Sequence, residues 1–173
     1  MALPIPLGAS IEETRDALLP LRNDFSIALY AAENAFAVGA IIRVAHNFLA
    51  REIIVVGDAP YYEKASMGME KYESIVRVND EASLLAHVGS RPLWCVEKDA
   101  ATTSLYAVPE FPRDVVLVFG SERFGIPKPL LDRASVTLGI PIYGVNHSLP
   151  LAVATGIVMS EWARRRYAPG ASL

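Results

Sequence analysis

The chain has 173 residues, of which 52% are hydrophobic and 20% charged, and its formal net charge is −3 at pH 7. This balance is typical of a globular protein and excludes a long disordered or low-complexity segment. The single cysteine, Cys95, excludes an internal disulfide and a cysteine-rich zinc site. The three histidines, His46, His87 and His147, are far apart and lack ligand spacing, so no metal site is expected.

The length and the first residues predict the broad organisation of the chain. One domain is expected over residues 1–173, with residues 1–24 as an N-terminal helical extension. No apolar run reaches the about 18 residues of a membrane span, and the first residues lack the features of a signal peptide, so we expect a cytoplasmic protein. The net charge neither indicates nor excludes nucleic acid, because a local basic patch is enough for phosphate contacts.

Helix and strand signals alternate in the first half of the chain. Ser10-Ile11-Glu12-Glu13 has the spacing of a capping box and predicts a helix that ends near Leu21. The runs that follow predict strands at 25–31, 52–56 and 74–78, helices at 36–49 and 80–88, and an ambiguous stretch at 61–72.

The second half continues this alternation. Ser148 is the predicted cap of a final helix that runs to about Tyr167, with Pro150 in its first turn, where proline is tolerated. Regular alternation of strand and helix predicts an α/β fold with a mostly parallel sheet flanked by helices. The other predicted elements are strands at 93–97, 115–119 and 136–140 and a short helix at 127–133.

Two glycine-containing loops follow predicted strands and precede predicted helices. The first is Gly120-Ser121-Glu122-Arg123-Phe124-Gly125, and the second is Ile140-Pro141-Ile142-Tyr143-Gly144 with Ser148-Leu149. Loops at the carboxyl ends of neighbouring parallel strands converge on one crevice, so the pair predicts one small-molecule site built largely from backbone. Neither loop has the spacing of a Walker A motif or a dinucleotide fingerprint, and ordinary strand-to-helix turns are the competing interpretation.

The helix predicted at 36–49 carries a second face opposite its apolar stripe. Gly39, Arg43 and His46 follow i, i+4, i+7 spacing, and the glycine leaves room for another backbone or a ligand to approach. The planar donor group of Arg43 suits a carboxylate or phosphate. Glu122 is expected either to accept hydrogen bonds from a ligand or to pair with an arginine such as Arg43. The competing interpretation is a solvated face on which His46 is a surface histidine.

The final helix is apolar on nearly every side. A helix that is apolar all round must be buried, and in a chain this small a partner subunit is the expected cover for one side. This predicts a homodimer, with a central helix in a monomeric core as the alternative. The cluster Arg164-Arg165-Arg166 is favourable at a helix C-terminus whatever its function, and we interpret it as solvated rather than RNA-binding. The apolar residues are Leu149, Leu151, Ala152, Val153, Ala154, Ile157, Val158 and Met159.

Taken in order, these motifs resemble the SpoU (TrmH-like) branch of the SPOUT superfamily, RNA ribose 2′-O-methyltransferases with a trefoil-knotted α/β fold. The stretch from Asn34 through Gly39-Ala40-Ile41-Ile42-Arg43-Val44-Ala45 is similar to the first family motif. Residues 117–126 are similar to the second, and residues 140–144 with Ser148-Leu149 to the third. The resemblance covers residues 25–167, and it implies a C-terminal trefoil knot and binding of S-adenosylmethionine.

The resemblance also implies roles for individual residues. Arg43 would lie beside the transferred methyl group and engage the RNA, with Asn34 and Arg123 as further substrate contacts and Glu122 and Ser148 as catalytic partners. Because the pKa of an arginine exceeds about 12, the role implied for Arg43 is to position the ribose hydroxyl, while phosphate assists removal of the proton. The implied cofactor-binding residues are Gly120, Ser121, Glu122, Gly125, Ile140, Ile142, Gly144, Ser148 and Leu149.

Two positions depart from the family pattern. Ala37 and Pro150 stand where the family often has asparagine, and neither side chain can donate a hydrogen bond. The leading prediction is an RNA 2′-O-methyltransferase that acts as a homodimer, with tRNA ahead of rRNA as substrate. A non-catalytic RNA-binding dimer and a generic nucleotide-binding α/β protein are the alternatives. Candidate RNA contacts are Arg43, Arg51, Arg123, Lys128 and the 164–166 cluster.

Overall fold

The computed structural model describes residue 5 and residues 8–166. The helices are α1 (Ile11–Leu18), α2 (Ala35–Asn47), α3 (Glu63–Ser66), α4 (Glu81–Val88), α5 (Lys128–Arg133) and α6 (Leu151–Arg166). The strands are β1 (Phe25–Tyr30), β2 (Ile53–Val56), β3 (Ile75–Val78), β4 (Leu93–Val96), β5 (Thr103–Ser104), β6 (Val115–Phe119) and β7 (Val136–Gly139). Two 3₁₀ turns, Leu19–Leu21 and Met69–Lys71, follow α1 and α3.

Within the described residues the strands form one sheet of seven strands in the order β3-β2-β1-β6-β4-β7-β5. Every neighbouring pair is parallel. In the centre of the sheet, Ala28 of β1 lies opposite Val118 of β6, which lies opposite Cys95 of β4 on its other side. The predicted α/β fold with a mostly parallel sheet is therefore confirmed, and the carboxyl ends of the strands lie along one edge.

Helices cover both faces of the sheet. On one face α2 and α6 pack together, and the Phe25 ring of β1 lies against Trp162 of α6 with ring centroids 4.5 Å apart. On the other face Leu84 of α4 and Leu130 of α5 are fully buried. Burial of both faces explains why the central strands are continuous apolar runs rather than alternating ones.

In two regions the structure adds detail that the sequence left open. The ambiguous stretch 61–72 contains α3 and a 3₁₀ turn, separated by Met67 and Gly68 in left-handed conformation with φ of 55° and 81°. Strand β5 was not predicted, because a strand of two residues has no periodicity to recognise.

The start of α6 differs from the start expected from the sequence. The helix begins at Leu151, and the carbonyl oxygen of Pro150 accepts hydrogen bonds from the N–H groups of Val153 and Ala154. Pro150 therefore precedes the first turn, and Ser148 does not cap the helix; its own N–H donates to Asn146 Oδ1. The predicted end at Tyr167 lies outside the described residues.

The face of α2 that carries Gly39 is not a solvated face. A Cβ atom on Gly39 would collide with the carbonyl oxygen of Tyr62 and lie 3.0 Å from Ala65 Cβ, so the glycine admits the backbone of α3. His46 is half-buried, and its Nδ1 atom lies 2.7 Å from Oε1 of the buried Glu73. Only Arg43 of the three is exposed, so the interpretation of His46 as a surface histidine is wrong.

Strand β7 lies beneath the segment that connects β4 to β5. Residues 97–102 cross over its carboxyl end, where Glu97 N–H donates to the Leu138 carbonyl oxygen from one side and Thr102 N–H donates to that of Thr137 from the other. A Cβ atom on Gly139 would lie 2.9 Å from Ala101 Cβ. Glycine is therefore needed where this segment crosses the end of β7, and we call the segment, residues 97–102, the arch.

A carboxylate near the end of α6 holds this helix to the edge of the sheet. Glu161 accepts hydrogen bonds from Arg164 and Arg165, and Arg165 also donates to the carbonyl oxygens of Leu105 and Tyr106. The hydrogen bonds from Arg164 and then Arg165 outweigh the effect of burial and lower the pKa of Glu161 to about 2. The charged form of Glu161 is thus favoured by folding.

We expect the Glu161→Gln variant to show a weaker dependence of stability on acid pH than the wild type. A carboxyl pKa that is lower in the folded state stabilises the fold above about pH 4, the ordinary range in the unfolded chain, and this contribution is lost as the pH falls towards 2. Urea unfolding of both proteins at pH 7, 5, 4 and 3 measures the free energy of unfolding and its change with pH. The control is Glu110→Gln, an exposed glutamate; equal pH slopes for both variants would contradict the assignment.

Candidate functional site

A cleft of about 580 Å³ opens at the carboxyl ends of β4, β6 and β7. Its volume is within the range of sites for small organic ligands, about 300–1,000 Å³. Its wall is formed by residues 96–100, residues 119–126, residues 147–149 and single side chains of α5, β7, the loop after β7 and the first turn of α6. These single side chains are Leu131, Leu138, Ile140, Ile142, Leu151 and Ala154. The two glycine-containing loops therefore meet at one site, as the parallel sheet predicts.

The loop after β6 is a tight turn braced by its own backbone. Ser121 is buried, its Oγ accepts a hydrogen bond from Phe124 N–H at 3.0 Å, and its carbonyl oxygen accepts one from Gly125 N–H at 3.0 Å. Gly125 has φ of 64°, in the left-handed region that favours glycine. Glu122, Arg123 and Phe124 consequently stand at the tip of a rigid turn.

Gly120 is required by a close crossing of backbone. A Cβ atom at this position would collide with the carbonyl group of Gly125 and lie 2.7 Å from Ile126 N. The neighbours are main-chain atoms held by the turn, so they cannot move aside as a flexible side chain would. The first glycine of the motif therefore determines how the loop folds back over the end of β6.

Two carboxylates connect the walls of the cleft. Glu122 Oε1 accepts a hydrogen bond from Leu151 N–H at 3.3 Å, which joins the β6 loop to the start of α6. Glu97 Oε2 accepts one from Ile126 N–H at 3.3 Å, which joins the arch to the same loop. Among the described residues of the single chain, no ion pair between Glu122 and Arg43 is found, and the contact that Glu122 makes is the one to Leu151. Each carboxylate keeps a second oxygen that can accept from a ligand.

Eight of the nine predicted cofactor-binding residues line the cleft. Gly144 does not line it; it is exposed, with no heavy atom within 4 Å of the position of a Cβ atom. Arg123, a predicted substrate contact, lies on the wall. The residues that do line the cleft are Gly120, Ser121, Glu122, Gly125, Ile140, Ile142, Ser148 and Leu149.

The predicted residues on α2 are not among those that form this wall. Asn34 is the N-cap of α2, and its side-chain oxygen accepts from Phe36 N–H and Ala37 N–H at 3.0 and 3.2 Å. That oxygen is therefore used to cap the helix. Arg43 is exposed two turns further along α2 and is not among the residues that line the cleft of its own chain.

Glu97 is a wall residue that the sequence prediction missed. It directly follows the buried strand β4, at the edge where ligand-facing groups concentrate, so the rule that identified Glu122 would have found it. Its neighbour Lys98 donates from Nζ to the His147 carbonyl oxygen at 2.9 Å, which closes the arch onto the second loop.

Cys95 lies behind the wall and is buried. Burial raises the pKa of its thiol to about 12, so Cys95 is not a nucleophile.

Most of the cations proposed as RNA contacts are already paired with carboxylates. Arg51 pairs with Asp114, and Lys128 with Asp132. The 164–166 cluster pairs with Glu161 and Asp24. Within residues 8–166, Arg43 and Arg123 are the two of these candidates for which no ion pair is found.

The same described residues hold neither a group of metal ligands nor a membrane-spanning helix. No three histidine, cysteine, aspartate or glutamate side chains are grouped there closely enough to hold a metal ion. None of the described helices has the length and apolar character needed to cross a bilayer.

The fold and cleft define a class of parallel α/β proteins whose ligand site is made from backbone loops at the carboxyl edge. Residues 24–160 match the SpoU rRNA Methylase family, and the chain belongs to this family. The resemblance seen in the sequence motifs is therefore confirmed.

Among curated proteins, the chain is 28% identical over 140 residues to the 23S rRNA (guanosine-2′-O-)-methyltransferase RlmB of Coxiella burnetii, covering 78% of this chain and 56% of that protein. It is 28% identical over 147 residues to the putative TrmH family tRNA/rRNA methyltransferase YacO of Bacillus subtilis, covering 82% and 59%. The chain thus spans 56–59% of the length of these two relatives.

Among solved structures, an AdoMet-bound rRNA methyltransferase from Sinorhizobium meliloti matches with a TM-score of 0.76 at 28% identity, covering 90% of this chain and 61% of that one. The A. aeolicus TrmH/SpoU tRNA modifying enzyme matches with a TM-score of 0.78 at 22% identity, covering 90% and 82%. The second likeness supports the fold alone.

We expect the Gly120→Ala variant to lose about 1–3 kcal/mol of unfolding free energy, the usual cost of inserting a methyl group where the surroundings cannot yield. The matched control is Gly144→Ala in the facing loop, where the methyl group meets no atom within 4 Å and a change below about 0.5 kcal/mol is expected. Urea titration monitored by tryptophan fluorescence measures both. Equal stability of the two variants would show that the crossing at Gly120 is not required.

Proposed function

We propose that this chain is an S-adenosylmethionine-dependent RNA ribose 2′-O-methyltransferase that acts as a homodimer. The observation that supports this most is the cleft, since the loops of the second and third motifs form one wall there. The names of the relatives, RNA methyltransferases in both curated cases, support the same reaction. No observation on the described residues favours the non-catalytic RNA-binding dimer.

The two departures from the family pattern are compatible with catalysis. Pro150 precedes α6, where its missing N–H is not needed, and the donor that faces Glu122 is the N–H of Leu151. Ala37 is buried in the first turn of α2, and the neighbouring Asn34 provides the polar group that orders this turn. Both substitutions therefore fit the local structure without removing a wall residue of the cleft.

The cleft has the size and the chemistry for S-adenosylmethionine. Its apolar wall residues Ile140, Ile142 and Leu149 suit an adenine ring, and the backbone crossing at Gly120 leaves main-chain groups at the surface. Glu97 and Glu122 present acceptors for ribose hydroxyls and an ammonium group. When bound, this cofactor supplies an electrophilic methyl group on a sulfonium sulfur.

Arg43 is proposed to position the ribose hydroxyl and a neighbouring phosphate. Its guanidinium stays charged and offers several donors, so it stabilises negative charge that develops on the hydroxyl oxygen. The proton of the hydroxyl passes to an oxygen of the neighbouring RNA phosphate rather than to Arg43. Because Arg43 does not line the cleft of its own chain, we propose that it acts at the cleft of the partner chain.

A shallow groove on α6 is proposed as part of the dimer interface. It is lined by Tyr106 and by small and aliphatic residues of α6, and Val153 and Tyr106 are 47% and 54% exposed. Gly156 of this helix packs beside Val44, the neighbour of Arg43. A second copy seated on the groove would thus lie next to the arginine. The groove residues are Tyr106, Ala152, Val153, Gly156, Ile157, Ser160 and Glu161.

Three further features are proposed. The trefoil knot of the family is proposed for this chain too, and it is supported by the way residues 97–102 cross from one side of β7 to the other at its carboxyl end. The RNA is proposed to be tRNA ahead of rRNA; the names of the relatives include both. The working compartment is proposed to be the cytoplasm.

We expect Arg43→Ala to lower methyl transfer by about 10²–10³-fold, the usual effect of removing one donor to a developing oxyanion. Binding of S-adenosylmethionine is expected to stay unchanged, because Arg43 lies outside the wall. The assay follows labelled methyl from the cofactor into total RNA of cells that lack the gene, with digestion to nucleosides. Arg113→Ala, an exposed arginine in the turn before β6, is the control, and unchanged turnover by Arg43→Ala would remove the proposed role.

A mixed dimer tests whether Arg43 acts across the interface. Co-expression of Arg43→Ala and Glu122→Ala chains with different tags is expected to restore about a quarter of the wild-type activity per chain. Random pairing makes half of the dimers mixed, and each of these has one intact site. Purified single-variant dimers are the control. Activity that stays at the level of the single variants would show that each cleft uses its own Arg43.

A further inference from the structure

Two aromatic side chains stand in solvent on the two loops that form the cleft, and of these Phe124 lines the cleft itself. Phe124, at the tip of the β6 loop, is 64% exposed, and Tyr143, in the facing loop after β7, is 92% exposed. Both loops contribute to the wall of the same cleft. We call the two rings, together with Arg123, the mouth surface.

The hydrogen bonds of the β6 loop hold Phe124 in its exposed position. The turn that carries it is held by Ser121 through its hydroxyl and carbonyl oxygens, and by Glu97 through Ile126 N–H. Exposure of a large apolar ring to water is unfavourable, by about 25 cal/mol per Å² of apolar surface. A braced turn that nevertheless holds a ring in water presents it to a partner.

The charges around the mouth favour a partner that is recognised by stacking. The wall carries Glu97, Asp99 and Glu122 against Lys98 and Arg123, so its formal charge does not attract phosphate strongly. Most other candidate cations are paired within the chain. Arg123 itself lies over the Phe124 ring, 4.9 Å from guanidinium carbon to ring centroid. A flat ring flanked by a planar cation is suited to a nucleobase.

We propose that the mouth surface stacks on unpaired bases beside the nucleotide whose ribose is methylated, so that the substrate is single-stranded or loop RNA rather than duplex. This inference rests on the proposed function. In an A-form duplex the bases stack on one another and their faces are inaccessible, whereas in loops they are free to splay onto aromatic side chains. The two rings would therefore select unpaired RNA independently of its base sequence.

The test compares binding of a fluorescein-labelled RNA decamer of mixed sequence with binding of the same decamer annealed to its complement. Wild-type protein saturated with S-adenosylhomocysteine is expected to bind the single strand at least ten-fold more tightly. Phe124→Ala and Tyr143→Ala are each expected to weaken single-strand binding by about ten-fold, a loss in the range of one base stack, with duplex binding unchanged. Phe124→Trp, which keeps an aromatic face, is expected to bind the single strand as tightly as the wild type does.

Two controls separate stacking from other causes. Leu19→Ala removes a side chain that is 70% exposed and lies before the first strand, outside the cleft wall, and is expected to have no effect on RNA binding. Phe124→Leu keeps apolar bulk without an aromatic face and is expected to behave like the alanine variant. Because few phosphates are contacted, single-strand binding should depend only weakly on salt. A plot of the logarithm of the association constant against the logarithm of the salt concentration is expected to have a slope of about −1 to −2.

Several results would overturn the inference. These are equal or tighter binding of the duplex, no detectable binding of the single strand, full binding by the Phe124→Ala, Tyr143→Ala double variant, or a change of oligomeric state in that variant, which would make the surface a protein interface. Calorimetry with S-adenosylhomocysteine on the same samples tests the proposed function separately. Cofactor binding with no stacking effect removes only this inference, whereas absent cofactor binding removes the proposed function.

Discussion

The insertion of β7 beneath the arch is the constraint on which the cleft depends. With β7 between β4 and β5, residues 97–102 must cross its carboxyl end, and Gly139 is the residue that leaves room for the crossing. The same insertion brings the loop after β7 beside the loop after β6, although α5 and a strand separate the two in the sequence. All three segments therefore reach one edge of the sheet, and the site is a consequence of strand order rather than of any single motif.

Hydrogen bonds donated by backbone N–H groups to two carboxylates then make these segments act as one body. Glu97 holds the β6 loop from the side of the arch, and Glu122 holds α6 from the β6 loop. A carboxylate that accepts an amide proton keeps acceptor capacity for a ligand, so the groups that shape the cleft are also able to bind within it. For this reason, removal of either carboxylate would change the loop and the ligand contact together, and a glutamine variant separates the two better than alanine does.

The sequence was sufficient for the parts of the molecule that follow from local pattern and from parallel topology. Alternating strands and helices predicted the sheet, and glycines after two strands predicted that the loops meet. Three features were not accessible in this way. The two-residue strand β5 has no periodicity, Gly39 admits a helix that only the tertiary fold brings near, and the hydrogen bonds of His46 and Glu122 join residues about thirty apart in the chain. Each depends on long-range contacts rather than on spacing.

The separation of Arg43 from the cleft divides the proposed activity between two parts of the surface. Under this proposal, cofactor binding would need only the braced loops of one chain, whereas methyl transfer would need Arg43, which lies on a helix that does not line that cleft. If the partner chain brings this arginine, a free chain binds cofactor without consuming it, and turnover depends on assembly. The mouth surface fits this division, because the proposed stacking on Phe124 and Tyr143 would hold bases at the cleft without requiring the charge of Arg43. Recognition and positioning of the ribose would then rely on different residues, which can be varied independently.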